Sequence, residues 1–507
     1  MKFVNVLFVV LLYCTHLSAQ VTLPNNLYFT HIGVEDGLCQ NTVCCILQDH
    51  LGFIWLGTKD GLTRYDGYRF RVFKHDAADP MSIGNNFIRV LYEDADGLIW
   101  IGTNVGVYIY NPETENFRKF DVATERGDVI SREVSSIKCD SSGDLWIGVN
   151  WQGVFRYDRR DESLELYEPV PGDTTSLSSV HVWDLCFDGD GNLWVGSQNG
   201  GLDRYDRETD RFVRHRLKGL SDVSRIVLDK QNQLLLGTMK DGLFSFNPYM
   251  GTCQPLLLDS GHKDLFVRAI FVRNSREVVV GTENGIYIYD CVTRKTRHVN
   301  QELGNPYSLS CKAVYSIYCD KEGALWIGTY FGGVNYLPPS SSLIFDKFYP
   351  IGHSDRLSGK AVREFVRDES GIIWIGTEDQ GLNRFDPVSG KFTHYNSRNS
   401  GLSCDNVHGL CVDGDRLYIG TFFGGFNIMD LKTNEIVALG SQMLPDDSVF
   451  SIFRDHDGRI WVGLTYGLCL FHPEDGSFEL VREIPENLFI YDIYQGDDGI
   501  IYFAAYN

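Results

Sequence analysis

The chain has 507 residues, a formal net charge of −21 and a hydrophobic fraction of 43%, which makes it too long for one ordinary core and too apolar for a disordered chain. An acidic excess on that scale repels phosphate backbones and anionic lipid surfaces, so nucleic acid and peripheral membrane binding are set aside. Its 51 glycines point to a folded, turn-rich architecture.

In chain order, the first segment reads as an export signal. Lys2 precedes the apolar run from Phe3 to Cys14, and "THLSAQ" offers small residues with a cut after Ala19. Residues 1–19 are therefore expected to be a secretory signal peptide. Twelve of the 13 cysteines follow Cys14 and sit in strand-like text; they read as buried thiols, with one or two disulfides left open. "LYFTHIG" (27–33) resembles the outer strand of a sheet, and its expected place is as a closing strand of the second of the two rings described next, the alternative being entry into the first ring with every blade boundary shifted.

From Thr42 onward the chain repeats itself. "LGFIWLGT", "DGLIWIGT", "SGDLWIGV", "DGNLWVGS", "EGALWIGT", "SGIIWIGT" and "DGRIWVGL" are variants of one phrase. The residue two before each recurring glycine is Trp55, Trp100, Trp146, Trp194, Leu235, Val279, Trp326, Trp374, Tyr418 and Trp461, followed by Tyr502 with Ala504 in the glycine's place, at spacings of 41 to 48 residues. Each unit opens with a short apolar run such as "IRVLYED", turns at D-x-x-G and runs into the W-x-G strand. A glycine hairpin, a strand such as "GLTRYD" and an alternating strand such as "YRFRVFKHD" complete it. Four short antiparallel strands at this period make a propeller blade. The large ring fills the layer between blades, and the glycine permits close backbone approach. The expected fold is all-β: a β-propeller with one complete seven-bladed ring (20–349) followed by a partial second propeller of about four blades (350–507). "SLIFDKFYP" (341–349) is expected to be the outer strand of the seventh blade, and the text stops inside a blade.

Chemistry is sparse. The D-x-x-G turns (Asp94, Asp188, Asp455) lack the further ligands of a calcium loop, and the sequence has no zincin, P-loop or nucleophile-elbow motif. No catalytic residue, metal ligand or cofactor is assigned. The informative positions are those that vary inside the constant repeat. Directly after the first apolar residue of each inner strand stand Cys44, Arg89, Ser135, Trp183, Ser224, Arg268 and Tyr315, then Arg363, His408, Phe450 and Tyr491. The hairpins "NWQG" and "TYFGG" add Trp151 and Tyr330 on the same side. Flat aromatic faces beside Arg, Asn and Gln suit sugars, whose C–H faces stack while their hydroxyls take directed hydrogen bonds. The ligand-binding candidates are accordingly Arg89, Trp151, Trp183, Arg268, Tyr315, Tyr330, Arg363 and His408, with an oligosaccharide as ligand. A solvated rim, or a surface for another protein domain, is the alternative.

The phrases "DHLGFIWLGTKDGLTRYD" (49–66), "DADGLIWIGTNVGVYIYN" (94–111) and "DESGIIWIGTEDQGLNRFD" (368–386) resemble the two-component regulator propeller repeat. "IGVEDGLCQNTV" (32–43) is similar to the start of the exported sensor region of hybrid two-component systems of gut Bacteroidetes. The resemblance implies two seven-bladed propellers ahead of a β-sandwich, a membrane span, a histidine kinase, a receiver and a DNA-binding domain. It implies a periplasmic sensor of glycan breakdown products that biases the kinase and so controls glycan-utilisation genes. This chain departs from that pattern by stopping within the second propeller, so the expectation is a truncated sensor region, itself not an enzyme. It would reach the membrane only through the missing C-terminal part, with a homodimer left open. The other function class is a secreted propeller enzyme acting on a polysaccharide or resembling a streptogramin lyase.

Overall fold

A computed structural model describes residues 22–24, 26–217, 220, 222–257, 265–339, 348, 356–439, 444–485 and 487–506. The expected signal peptide, 1–19, lies outside them, as does all of 341–349 except Phe348. The chain divides into two compact units, Met1–Leu343 and Ile344–Asn507. Both are all-β and built from four-stranded antiparallel sheets of the propeller type.

The first sheet shows the pattern: Val43–Gln48, Ile54–Thr58, Gly61–Tyr65 and Phe70–Phe73 pair in sequence order. Its W-x-G strand, Ile54–Thr58, is buried at every position. This is what a middle strand covered on both faces requires. Seven such sheets fall in the first unit. Their innermost strands lie side by side in chain order, and Val43–Gln48 touches both Ile88–Glu93 and Val314–Cys319.

The recurring glycine explains how neighbouring sheets meet. A Cβ placed on Gly57, Gly102, Gly148, Gly196, Gly237, Gly281 or Gly328 would stand 2.6 to 2.9 Å from a methyl carbon of Ile88, Val134, Val182, Val223, Val267, Val314 or Val43, respectively. Each contact reaches the first apolar residue of the next sheet, and the last returns to the first sheet. Any side chain at these glycines would overpack the seam.

The D-x-x-G turn has a second role that its turn chemistry hides. In seven sheets its first aspartate accepts a hydrogen bond from the indole N–H of the tryptophan six residues on. In the second sheet Asp94 Oδ2 takes Trp100 Nε1 at 2.8 Å, while Oδ1 takes the backbone N–H groups of Asp96 and Leu98 at 3.0 Å. One buried carboxylate thus closes the turn and satisfies the indole that must be buried between sheets.

The structure corrects the placing of the N-terminal strand. Thr30–Ile32 pairs antiparallel with Val334–Leu337, with Thr30 opposite Tyr336 and Ile32 opposite Val334. It is therefore the outer strand of the seventh sheet in the first unit, and not a closing strand of the second ring. That place had been given to 341–349, of which only Phe348 is described; Phe348 packs on Phe385 and Phe392 in the second unit. An outer strand drawn from the other end of the unit covers a sheet edge.

In the second unit, three four-stranded sheets begin at Val362, Val407 and Val449, and Phe489–Gln495 pairs with Ile501–Tyr506. The same glycine contacts link them, with Gly376 on Val407, Gly420 on Val449 and Gly463 on Ile490.

Candidate functional site

A repeated irregularity creates the site. In six of the first unit's seven innermost strands the pairing register shifts after the first residue, as between Val43 and Cys45 or between Val182 and Asp184. The skipped residues are Cys44, Arg89, Ser135, Trp183, Arg268 and Tyr315. A bulge residue is released from the ladder, and its side chain is re-aimed. The fifth sheet shows no register shift: Arg225 opens the pairing opposite Gly237, and Ser224 precedes it.

These side chains meet one another from different sheets. The Arg268 guanidinium lies 3.9 Å from the Phe266 ring centre and 4.6 Å from that of Tyr315. Tyr315 and Tyr330 are 5.1 Å apart. Lys59 sits 4.1 Å from the Tyr330 ring and 5.8 Å from Phe87, and Arg89 lies 4.1 Å from Phe87. Trp183 joins the other end of this arc through Phe266 at 6.5 Å, edge to face. The result is an arc of alternating rings and cations, Trp183–Phe266–Arg268–Tyr315–Tyr330–Lys59–Phe87–Arg89.

Two of the cations are held by carboxylates. Arg268 pairs with Glu283 at 2.5 Å, and Arg89 pairs with Glu133 at 3.2 Å while donating to Asn104 at 2.7 Å. Such pairing fixes the planes of both guanidinium groups. Among the described residues, the buried Trp183 indole N–H has no hydrogen-bond acceptor. Every W-x-G tryptophan in the first unit spends its indole N–H on a turn aspartate, whereas the bulge residue Trp183 leaves its donor unpaired.

Trp151 occupies the neighbouring hairpin apex. Its backbone is left-handed (φ 68°), its side chain is 65% exposed and its ring meets His181 at 4.1 Å, edge to face. Holding a tryptophan in that conformation costs about 1–3 kcal/mol, which the surrounding hairpin must offset. His181 is fixed in turn by Asn150 at 3.2 Å.

Arg363 and His408 belong to the second unit and form a separate group there. Arg363 Nη2 and His408 Nδ1 are 3.4 Å apart, and Arg363 also pairs with Glu378 at 3.2 Å. The His408 ring lies 4.4 Å from Phe450 and 5.8 Å from Phe422. Burial, helped by the neighbouring Arg363 charge, pushes the His408 pKa down to about 4. His408 is consequently neutral at physiological pH, with a lone pair available to the Arg363 donor.

The structure therefore gathers Arg89, Trp183, Arg268, Tyr315 and Tyr330 in one arc, sets Trp151 on the hairpin beside His181, and keeps Arg363 with His408 in the second unit. Sequence reasoning missed Lys59, Phe87, Phe266 and His181. Three of them were within reach: Phe87, Phe266 and His181 each stand one residue before the apolar residue that opens an inner strand.

A family model described as "Two component regulator propeller" matches residues 37–60, 82–105, 176–199, 308–331 and 443–466. Each match ends close to the hairpin that follows a W-x-G strand. Among curated proteins, histidine kinase P4 of Formosa agariphila is 39% identical over 59 residues, a stretch that is 12% of this chain and 4% of that protein. The extracellular domain of the putative hybrid two component system BT3049 from B. thetaiotaomicron shares the fold with a TM-score of 0.64 at 22% identity, covering 94% of this chain and 82% of that one. The corresponding domain of BT4673 from B. thetaiotaomicron gives a TM-score of 0.55 at 20% identity over 95% and 71% of the two chains. By these matches and the geometry of its sheets, the chain carries two-component regulator propeller repeats.

Proposed function

We propose that this chain is the exported ligand-sensing region of a hybrid two-component regulator, and that its ligand is an oligosaccharide released from a glycan. In this reading the seven sheets of the first unit are the blades of one closed ring, and the second unit is part of a second propeller. The observation that carries the ligand assignment is the unpaired, buried Trp183 indole N–H at the end of an arc of ring faces and cations. A buried donor without an acceptor costs about 1–3 kcal/mol, which a ligand hydroxyl or ring oxygen would recover on binding. Exposed C–H faces of a sugar would stack on Trp151, Tyr315 and Tyr330.

The repeats support the regulator assignment, as does the fold shared with the two extracellular domains. The intact regulator would be anchored in the inner membrane, with this region in the periplasm, alone or as a homodimer. Binding would bias the kinase only through contacts that differ between its two signalling states.

Calorimetry of the mature chain against a panel of glycan oligosaccharides tests the reading. Trp183→Phe keeps the ring and deletes the donor, so affinity should fall about tenfold, the worth of one such hydrogen bond. Affinity equal to wild type in both Trp183→Phe and Trp183→Ala would remove the site from this arc. Turnover of any oligosaccharide would favour the secreted-enzyme reading instead.

A further inference from the structure

The charges at this site do not balance, and the imbalance bears on the chemical class of the ligand. The charges of four cations act on Cys44: Arg89, Lys59, Arg268 and Arg225. Burial pushes the Cys44 thiol up to about 11, and these four charges pull against that shift. Arg89 and Arg268 have carboxylate partners, as described above. Among the described residues, neither Lys59 nor Arg225 has a carboxylate within ion-pair distance. Lys59 contacts ring faces. Arg225 donates through Nε to the Arg268 carbonyl at 2.7 Å and through Nη1 to the Ser224 carbonyl at 3.0 Å, and among the described residues its Nη2 has no hydrogen-bond acceptor. Asp184 is the carboxylate in its electrostatic surroundings. That group is already engaged by Ser136 Oγ at 2.9 Å and by the backbone N–H groups of Leu185 and Ile226 at 2.9 and 3.1 Å.

Carbonyl oxygens orient a guanidinium without neutralising it. Burying Arg225 beside Arg268 and Arg89, with Asp184 offsetting the charge only in part, is costly unless a further anion arrives, and this site does so in a chain whose net charge is −21. Building on the glycan reading above, we infer that the ligand is an acidic oligosaccharide, whose carboxylate or sulfate group enters between Arg225, Lys59 and Arg268 while a neutral sugar face stacks on Tyr315 and Trp183. Arginine offers such a group a planar fork of donors, and the Lys59 ammonium adds a point charge.

The experiment is calorimetry of the mature chain with oligogalacturonates and with chondroitin sulfate oligosaccharides, each beside its carboxyl-reduced form, and for the latter also its desulfated form. The expected result is that one acidic series binds at least tenfold more tightly than its neutralised counterpart, with affinity falling as salt rises. Which neutralisation abolishes the preference tells a carboxylate from a sulfate. Arg225→Gln should lose that preference while neutral sugars bind as before. Lys59→Gln, on an accessible hairpin, should weaken it severalfold and serves where Arg225→Gln does not fold. Equal affinity for acidic and neutralised sugars overturns the inference and leaves the glycan reading standing. Absence of heat from every sugar overturns both.

Discussion

Asp203 is a carboxylate where the equivalent position of other sheets carries an amide. It pairs with Val195 just as Asn335, Asn383 and Asn427 pair with Ile327, Ile375 and Ile419. All four side chains are fully buried and receive the backbone N–H of a serine in the preceding loop. Asparagine can also donate: Asn335 Nδ2 reaches Ser310 Oγ at 2.9 Å and Asn383 Nδ2 reaches the Ser358 carbonyl at 3.2 Å. Asp203 takes two bonds on Oδ2, from Ser178 N at 2.9 Å and Ser178 Oγ at 2.6 Å, and leaves Oδ1 buried and unpaired. Burial pushes its pKa from 3.8 up to about 6, against the lowering effect of the Ser178 bonds and Arg214. A carboxyl raised in the folded state is protonated there while already ionised in the unfolded chain, so stability falls as pH rises from about 4 to about 6. Above that window the full penalty of about 3 kcal/mol applies. Asp203→Asn removes it. Thermal unfolding of both proteins at pH 7.5 and pH 4.5 should show the variant ahead by about 3 kcal/mol at the higher pH and by about 1 kcal/mol at the lower, a difference of a few degrees in Tm. An advantage that does not change with pH, or a variant less stable at pH 7.5, would refute the argument from burial.

Three other outcomes are expected. Asp94→Ala strands the Trp100 indole and two turn N–H groups and removes a partner 3.4 Å from Arg159; it should cost about 3 kcal/mol or more in chemical unfolding monitored by tryptophan fluorescence. Gly328→Ala drives a methyl to 2.8 Å from Val43 at the seam between seventh and first sheets, so it should destabilise by about 1–3 kcal/mol in the same assay. His408, depressed to about 4 by burial and Arg363, is neutral in the fold but protonated in the unfolded chain below about pH 6.5. Its contribution is therefore lost as pH falls from about 6.5 to about 4, and His408→Gln should flatten that part of the stability profile.

The blade was legible because everything that defines it is local. Alternation, the turn aspartate, the tryptophan and the glycine recur within one period, and the bulge position showed itself as the one variable place in a constant strand. Trp183, Arg268 and Tyr315 were singled out for that reason. The spacing of six from aspartate to tryptophan was also written plainly in "DADGLIW", yet a turn explanation was sufficient to hide the indole contact. Thr30–Ile32 was misplaced because a three-residue strand carries almost no periodicity and its partner, Val334–Leu337, stands at the far end of the unit. Arg225 was passed over because its sheet opens without the bulge, which moves its guanidinium under the neighbouring Arg268 carbonyl instead of into the series of skipped residues.

The bulge also bears on how such a protein changes over evolutionary time. A residue in the regular ladder answers to cross-strand partners, to the next sheet and to the pleat, so replacing it disturbs several contacts together. The skipped residue has no place in the ladder, and its contacts are made by its side chain alone, as in Arg89 with Glu133 and Arg268 on Tyr315. In this chain six such places hold Cys44, Arg89, Ser135, Trp183, Arg268 and Tyr315, which differ in charge, size and polarity while the surrounding strands keep one pattern. Six positions outside the ladder can change one at a time without refolding the frame.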